Sequence, residues 1–135
     1  MLNRKKSNLV IFKSVFILGG NSEIAQEICL NLVQKGTRKI HFVSREPSKN
    51  NLFIKRLTDE FNLEIFNQEF DLLKGNLNTK PHIDFFDLYI IAAGYLGNSI
   101  LAGNDLDEAL NIARVNYYSL IPWINEITSE NRISK

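Results

Sequence analysis

The chain has 135 residues, 44% hydrophobic and 23% charged, which suits a single globular domain with one compact core. Lys and Arg number 16 against 15 Asp and Glu, a net charge of +1, so charge gives no reason to expect nucleic acid or an anionic membrane as partner. Cys29 is the only cysteine, which excludes an intrachain disulfide and fits a reducing cytoplasm, and no apolar run approaches the ~20 residues of a membrane span.

Residues 1–13 read as an N-terminal extension, with Arg4-Lys5-Lys6 a solvated basic cluster. The basic start followed by Leu9-Val10-Ile11-Phe12 superficially resembles a secretion signal, but Lys13 interrupts the apolar run and no small-x-small cleavage site follows. Ser14 to Leu18 then reads as a short buried strand. It breaks at Gly19-Gly20, and an amphipathic helix begins at once. This is the pattern of a strand-turn-helix that binds phosphate: glycine permits a sharp turn and close approach, and the helix mouth offers unpaired N–H groups and a positive dipole end. Asn21 or Ser22 can cap that helix. Ile24, Ala25, Ile28, Cys29, Leu32 and Val33 recur at helical spacing as its packing face, and Gly36 marks its end. Cys29 within that stripe reads as an inert buried thiol.

A second strand is predicted from Lys39 to Ser44, with Arg45-Glu46-Pro47-Ser48 as its exit loop, a second helix over 52–61, and a third strand over 63–70 running into Asp71. Residues 74–82 read as loop. A fourth strand is predicted over 85–93, closed by Gly94, and one long helix over 105–130. Leu106, Ala109, Leu110, Ala113, Tyr117, Leu120, Ile124 and Ile127 form the expected face of that helix, and Pro122 is its expected kink. Strands alternating with helices imply parallel pairing with right-handed crossovers. The predicted class is α/β with a parallel sheet over residues 14–135. His41 and His82 have no partners at metal-ligand spacing, so no metal site is expected. Trp123, Tyr117 and Tyr118 read as packing or interface residues.

Ile17-Leu18-Gly19-Gly20-Asn21-Ser22-Glu23-Ile24-Ala25, Ser44-Arg45, Asp71, Ala92-Ala93-Gly94 and Asn116 stand in the order found in the short-chain dehydrogenase/reductase family, which the chain resembles over about residues 14 to 135. The turn and the later Gly94-Tyr95-Leu96-Gly97 look most like the branch containing decaprenylphosphoryl-ribose 2-keto reductase. The family motif TGxxxGxG is met only at Gly19; Leu18, Glu23 and Ala25 replace the threonine and the later glycines.

The resemblance implies that this sheet is the N-terminal half of a Rossmann-like doubly wound sheet, with strand order 3-2-1-4, and that a nicotinamide dinucleotide is the cofactor. Gly19, Asn21, Ser22, Glu23 and Ile24 would surround the diphosphate. Ser44 and Arg45 would lie at the adenosine ribose, Asp71 and Leu72 beside the adenine, and Ala92, Ala93 and Gly94 under the ribose in place of the family's NNAG element. Arginine after the second strand can pair with a 2′-phosphate, which favours NADP over NAD. For Asp71 taken alone, a turn or helix-cap aspartate is an equal reading. Asn116 matches the helix asparagine that supports the family's proton relay.

The resemblance also shows what is missing. The family's tyrosine and lysine form a YxxxK pair, and none of Tyr89, Tyr95, Tyr117 or Tyr118 has a lysine four positions later. The strand that would carry the catalytic serine is also missing, and residues 131–135 look like the approach to it. The chain is thus expected to bind nucleotide without turning over. A piece of a longer chain, an interrupted reading frame and a natural short protein all fit. An open strand edge would favour self-association or pairing with a complementing C-terminal half. A non-catalytic nucleotide-binding or interaction module is the alternative, and a flavodoxin-like domain is compatible with the succession of strands and helices along the chain alone.

Overall fold

The computed structural model describes residues 10–75 and 80–129. The Arg4–Lys6 cluster, Leu9, the middle of the 74–82 loop and the segment 131–135 lie outside the described residues. The element order is β1 (Ser14–Leu18), α1 (Glu23–Gln34), β2 (Lys39–Ser44), a 3-10 turn (Pro47–Asn50), α2 (Asn51–Glu60), β3 (Glu64–Glu69), β4 (Leu88–Ile91), α3 (Ser99–Ala102), α4 (Leu106–Asn116), a 3-10 turn (Tyr118–Leu120) and α5 (Ile121–Ile127). All pairings are parallel, in the order β3-β2-β1-β4. The expected Rossmann-like α/β class and strand order are those observed.

β1 lies at the centre, and its alternation divides the core between the two faces of the sheet. Val15 and Ile17 pack with Ile40 and Phe42 against Ala25, Cys29 and Val33 of α1 and Leu57 of α2. Phe16, Leu18 and Val43 face the other way, against Leu72, Ile83, Phe86, Val115 and Trp123. Register is locked at the strand starts. Asp87 accepts from the amides of Lys13 and Ser14 at 2.7 and 3.2 Å, and the Ser14 hydroxyl accepts from the Asp87 amide at 3.0 Å.

Three expectations are corrected. In α1, Ala25, Cys29 and Val33 are buried but Ile24 and Ile28 are exposed, because the sheet covers a stripe narrower than the apolar pattern. The fourth strand is shorter than 85–93, since pairing with β1 spans only Leu88–Ile91. The single long helix is instead α4, a 3-10 turn and α5. The break falls at Tyr117 (φ −139°, ψ −70°), and Pro122 sits in the first turn of α5, where its missing N–H costs no helical bond. The buried face is Val115, Ser119 and Trp123, while Leu106, Leu110, Tyr117 and Ile124 of the predicted face are exposed. The indole of Trp123 packs tilted against Phe16 and edge-on to Phe70, and this large ring sets the helix rotation.

Candidate functional site

A cavity of about 310 Å³ opens where the C-terminal ends of the strands meet, across the point where order reverses between β1 and β4. In open α/β sheets ligands bind at this place. The volume is at the lower end of the ~300–1,000 Å³ range of small-molecule sites, suited to a nucleotide portion more than to an enclosed dinucleotide. Its walls bring together Gly19, Asn21, Ser22, Ser44, Arg45, Asp71, Leu72, Ala92, Ala93 and Gly94 from separate parts of the sequence. Glu23, Ile24 and Asn116 do not line it.

The turn at its base is built on Gly19, whose φ of +93° is left-handed. A Cβ there would stand 2.4 Å from the Ala93 nitrogen and 2.6 Å from the Ala92 carbon, so the end of β4 can come this close only because residue 19 has no side chain. The amides of Gly19 and Gly20 both donate to the Val43 carbonyl, at 2.8 and 3.1 Å, and are spent on fixing the turn to β2. Ser22 caps α1, its hydroxyl accepting from the Ala25 amide at 3.4 Å. The amides of Glu23 and Ile24 have no acceptor among the described residues, so the unpaired N–H groups at the helix mouth are theirs although their side chains point to solvent.

Asn21 has a bridging role. Its amide nitrogen donates to the Glu46 carbonyl and to Asn50 Oδ1, both at 3.0 Å, tying the glycine turn to the loop after β2. Asn50 is fully buried and donates in turn to Asn67 Oδ1 at 3.3 Å. On the β2 side Ser44 lines the cavity, and its hydroxyl is buried with no hydrogen-bond partner among the described residues. Buried hydroxyls are rarely left unpaired, and a ligand acceptor or donor would satisfy this one. Glu46 and Lys49, which sequence reasoning missed, also line the cavity; Lys49 stands one 3-10 turn beyond Glu46. The Lys49 ammonium, hydrogen-bonded to Glu46, holds that carboxyl below its ordinary value.

Asp71 accepts from the Leu73 amide at 2.9 Å, so it closes a turn at the cavity edge. The loop after β4 is clamped to α4. Asn116 Oδ1 accepts from the Tyr95 amide at 2.8 Å and its Nδ2 donates to the Tyr95 carbonyl at 2.7 Å. Glu108 accepts from the Tyr95 hydroxyl at 3.0 Å and from the Asn98 amide at 2.9 Å. That contact holds the Tyr95 phenol above its ordinary value. Leu18, Val43, Phe70, Leu73, Tyr95 and Val115 complete the lining. Val43, Phe70, Leu73 and Val115 carried no site assignment in the sequence, and only the fold brings them to the cavity.

The remaining titratable candidates stand apart. Burial pushes the Cys29 thiol up to about 12, away from the cavity. His41 hydrogen-bonds Gln68 at 2.9 Å beside the Phe16 and Phe86 rings, and burial holds its imidazole below the ordinary value. His82 pairs with Asp84 at 3.6 Å in solvent. Among the described residues no group of His, Cys, Asp and Glu could hold a metal ion, and no helix is long and apolar enough to cross a membrane.

No family model matches the sequence, and no curated protein matches it. Solved structures do. A short chain dehydrogenase from Salmonella enterica aligns with a TM-score of 0.68 at 17% identity, over 86% of this chain and 51% of that one. The Escherichia coli oxidoreductase yciK aligns with a TM-score of 0.69 at 15% identity, over 95% of this chain and 56% of that one. The Bordetella bronchiseptica enzyme WbmF, solved in complex with NADH, aligns with a TM-score of 0.60 at 15% identity, over 89% of this chain and 33% of that one. The chain spans about half the length of the first two, and at these identities the likeness is one of fold: it has the Rossmann-like parallel architecture found in short-chain dehydrogenases.

Proposed function

We propose that residues 14–135 are the dinucleotide-binding portion of a short-chain dehydrogenase/reductase, preceded by an extension over 1–13, and that the chain holds NADP in preference to NAD. The observation that carries this reading is a cavity at the strand ends with a buried, unpartnered Ser44 hydroxyl on its wall. The residues present fit such a cofactor. The Glu23 and Ile24 amides receive the diphosphate, with Gly19, Asn21 and Ser22 shaping the approach. Ser44 and Arg45 meet the adenosine ribose and its 2′-phosphate, Asp71 and Leu72 flank the adenine, and the small Ala92, Ala93 and Gly94 admit the second ribose.

A bound nicotinamide dinucleotide supplies hydride exchange between a carbonyl and its alcohol. Asn116 takes two roles: in a complete enzyme it supports the proton relay, and in this chain its amide positions Tyr95. With no Tyr-x-x-x-Lys pair among its own residues, the 135-residue chain binds cofactor without steady-state turnover. The Leu18-Gly19-Gly20-Asn21-Ser22-Glu23-Ile24 turn supports the branch of decaprenylphosphoryl-ribose 2-keto reductase, with a keto-sugar as the parent substrate. A single buried thiol supports a cytoplasmic setting.

Thermal melting with NADPH or NADH at millimolar concentration tests the reading, because a ligand that prefers the folded state raises stability. NADPH is expected to raise the melting temperature more than NADH. Unchanged melting with both would overturn it. One observation also favours an interaction role. Among the described residues β4 is paired only with β1, and Leu96, Ile100, Leu106, Leu110 and Tyr117 beyond it are exposed, which supports association with a complementing half or a second copy. Sedimentation as a clean monomer at high concentration would count against self-association.

A further inference from the structure

We propose that Glu46 is a built-in counter-anion that sets how strongly the cavity prefers a dinucleotide carrying a 2′-phosphate, with Lys49 as the second cation of that subsite. The proposal rests on the dinucleotide reading above. Glu46 stands between two cations, its carboxylate 3.5 Å from Arg45 Nη2 and 3.0 Å from Lys49 Nζ, and all three residues line the cavity.

Their backbone is held in place. The Glu46 carbonyl accepts from Asn21 Nδ2 at 3.0 Å and from the Lys49 amide at 3.1 Å, so the loop carrying the charges is fastened to the glycine turn. The buried Asn50, which follows Lys49, secures the other end through Asn21 and Asn67. Ser44, two residues before Glu46, lines the same cavity, and its buried hydroxyl has no partner among the described residues.

A phosphate monoester brings roughly −1.5 to −2 charges and three acceptor oxygens near neutral pH, more than a carboxylate can offer two cations. It can therefore displace Glu46 into water, at the cost of an ion pair already made. A dinucleotide without the 2′-phosphate leaves Glu46 where it is and meets no such competition. Glu46 thus lowers affinity for NADPH selectively, and Lys49 raises it. Because Glu46, Arg45 and Lys49 are all solvent-accessible, the effects are those of exposed ion pairs.

Calorimetric titration of the chain and its variants with NADPH and NADH is the test. Glu46→Gln should tighten NADPH about 3- to 5-fold, and Lys49→Ala should weaken it by a similar factor, while NADH affinity stays within about twofold in both. In Lys49→Ala the further change Glu46→Gln should give a smaller gain than in the parent chain. If NADPH binds and Glu46→Gln leaves the NADPH-to-NADH ratio unchanged or lowers it, the counter-anion role is wrong while the dinucleotide reading stands. If neither nucleotide binds the parent chain or any variant, that reading fails and takes this one with it.

Discussion

On its β2 side, β1 meets a six-residue strand whose Ile40, Phe42 and Val43 are fully buried, and the Gly19 and Gly20 amides fasten the turn to that strand. On its other side it meets four residues of β4, none fully buried, followed by α3 and α4 with Leu96, Ile100 and Leu106 exposed at 95%, 82% and 72%. The cavity therefore has two unlike walls. One is fixed by a closed apolar core; the other is held by polar clamps, Asn116 and Glu108 on the loop after β4. A wall held by a few exposed hydrogen bonds opens at lower free energy than one fixed by packing, so the β4 wall is the adaptable one.

The largest test removes what both walls share. Phe16 is buried among His41, Phe86, Tyr89 and Trp123, and Phe16→Ala should cost about 3–5 kcal/mol in urea denaturation. Gly19→Ala strikes where the walls touch. Its Cβ would overlap the backbone of Ala92 and Ala93 and strain a left-handed residue, so about 2–4 kcal/mol should be lost. A loss below about 0.5 kcal/mol would show that the close approach of β4 to the turn is not maintained.

Asn116→Ala should cost only about 1 kcal/mol, yet speed hydrogen exchange in the loop after β4 while β1 and β2 keep their protection. Equal loosening on both sides would erase the contrast. Ser44→Ala removes a hydroxyl that bonds nothing among the described residues, so unliganded stability should change by no more than about 0.5 kcal/mol while NADPH binds several-fold more weakly. A fifth effect is silent at neutral pH. With the Cys29 thiol raised from 9.0 to about 12 in the fold, the unfolded chain loses that proton first, so this contribution to stability is intact below about pH 9 and declines towards pH 12. Denaturation midpoints across that interval, compared with Cys29→Ala, check it.

What could be read from sequence follows the same division. The β1 turn, α1 and β2 were legible because glycine punctuation, capping residues and short β-branched runs are local signals. The helices after β4 were not. Leu106, Leu110 and Ile124 fit a helical stripe as well as Val115 and Trp123 do, and only the position of the Trp123 ring against Phe16 decides which stripe turns inward. Ten of the residues expected from the motifs line the cavity, since each sits at a strand end and parallel pairing gathers strand ends together. Lys49 and Glu46 escaped notice because their placement depends on a 3-10 turn anchored through Asn21 and Asn50, contacts distant in sequence.

The most direct test is an amide chemical-shift titration of the labelled chain with NADPH. The predicted result is saturable perturbation of Glu23 and Ile24 at the helix mouth, of Ser44 and Arg45 at the end of β2, and of Ala92 to Gly94 on the adaptable wall. Saturable shifts confined to residues remote from the strand ends, or no shifts at millimolar nucleotide, would contradict a dinucleotide site at the β1–β4 reversal.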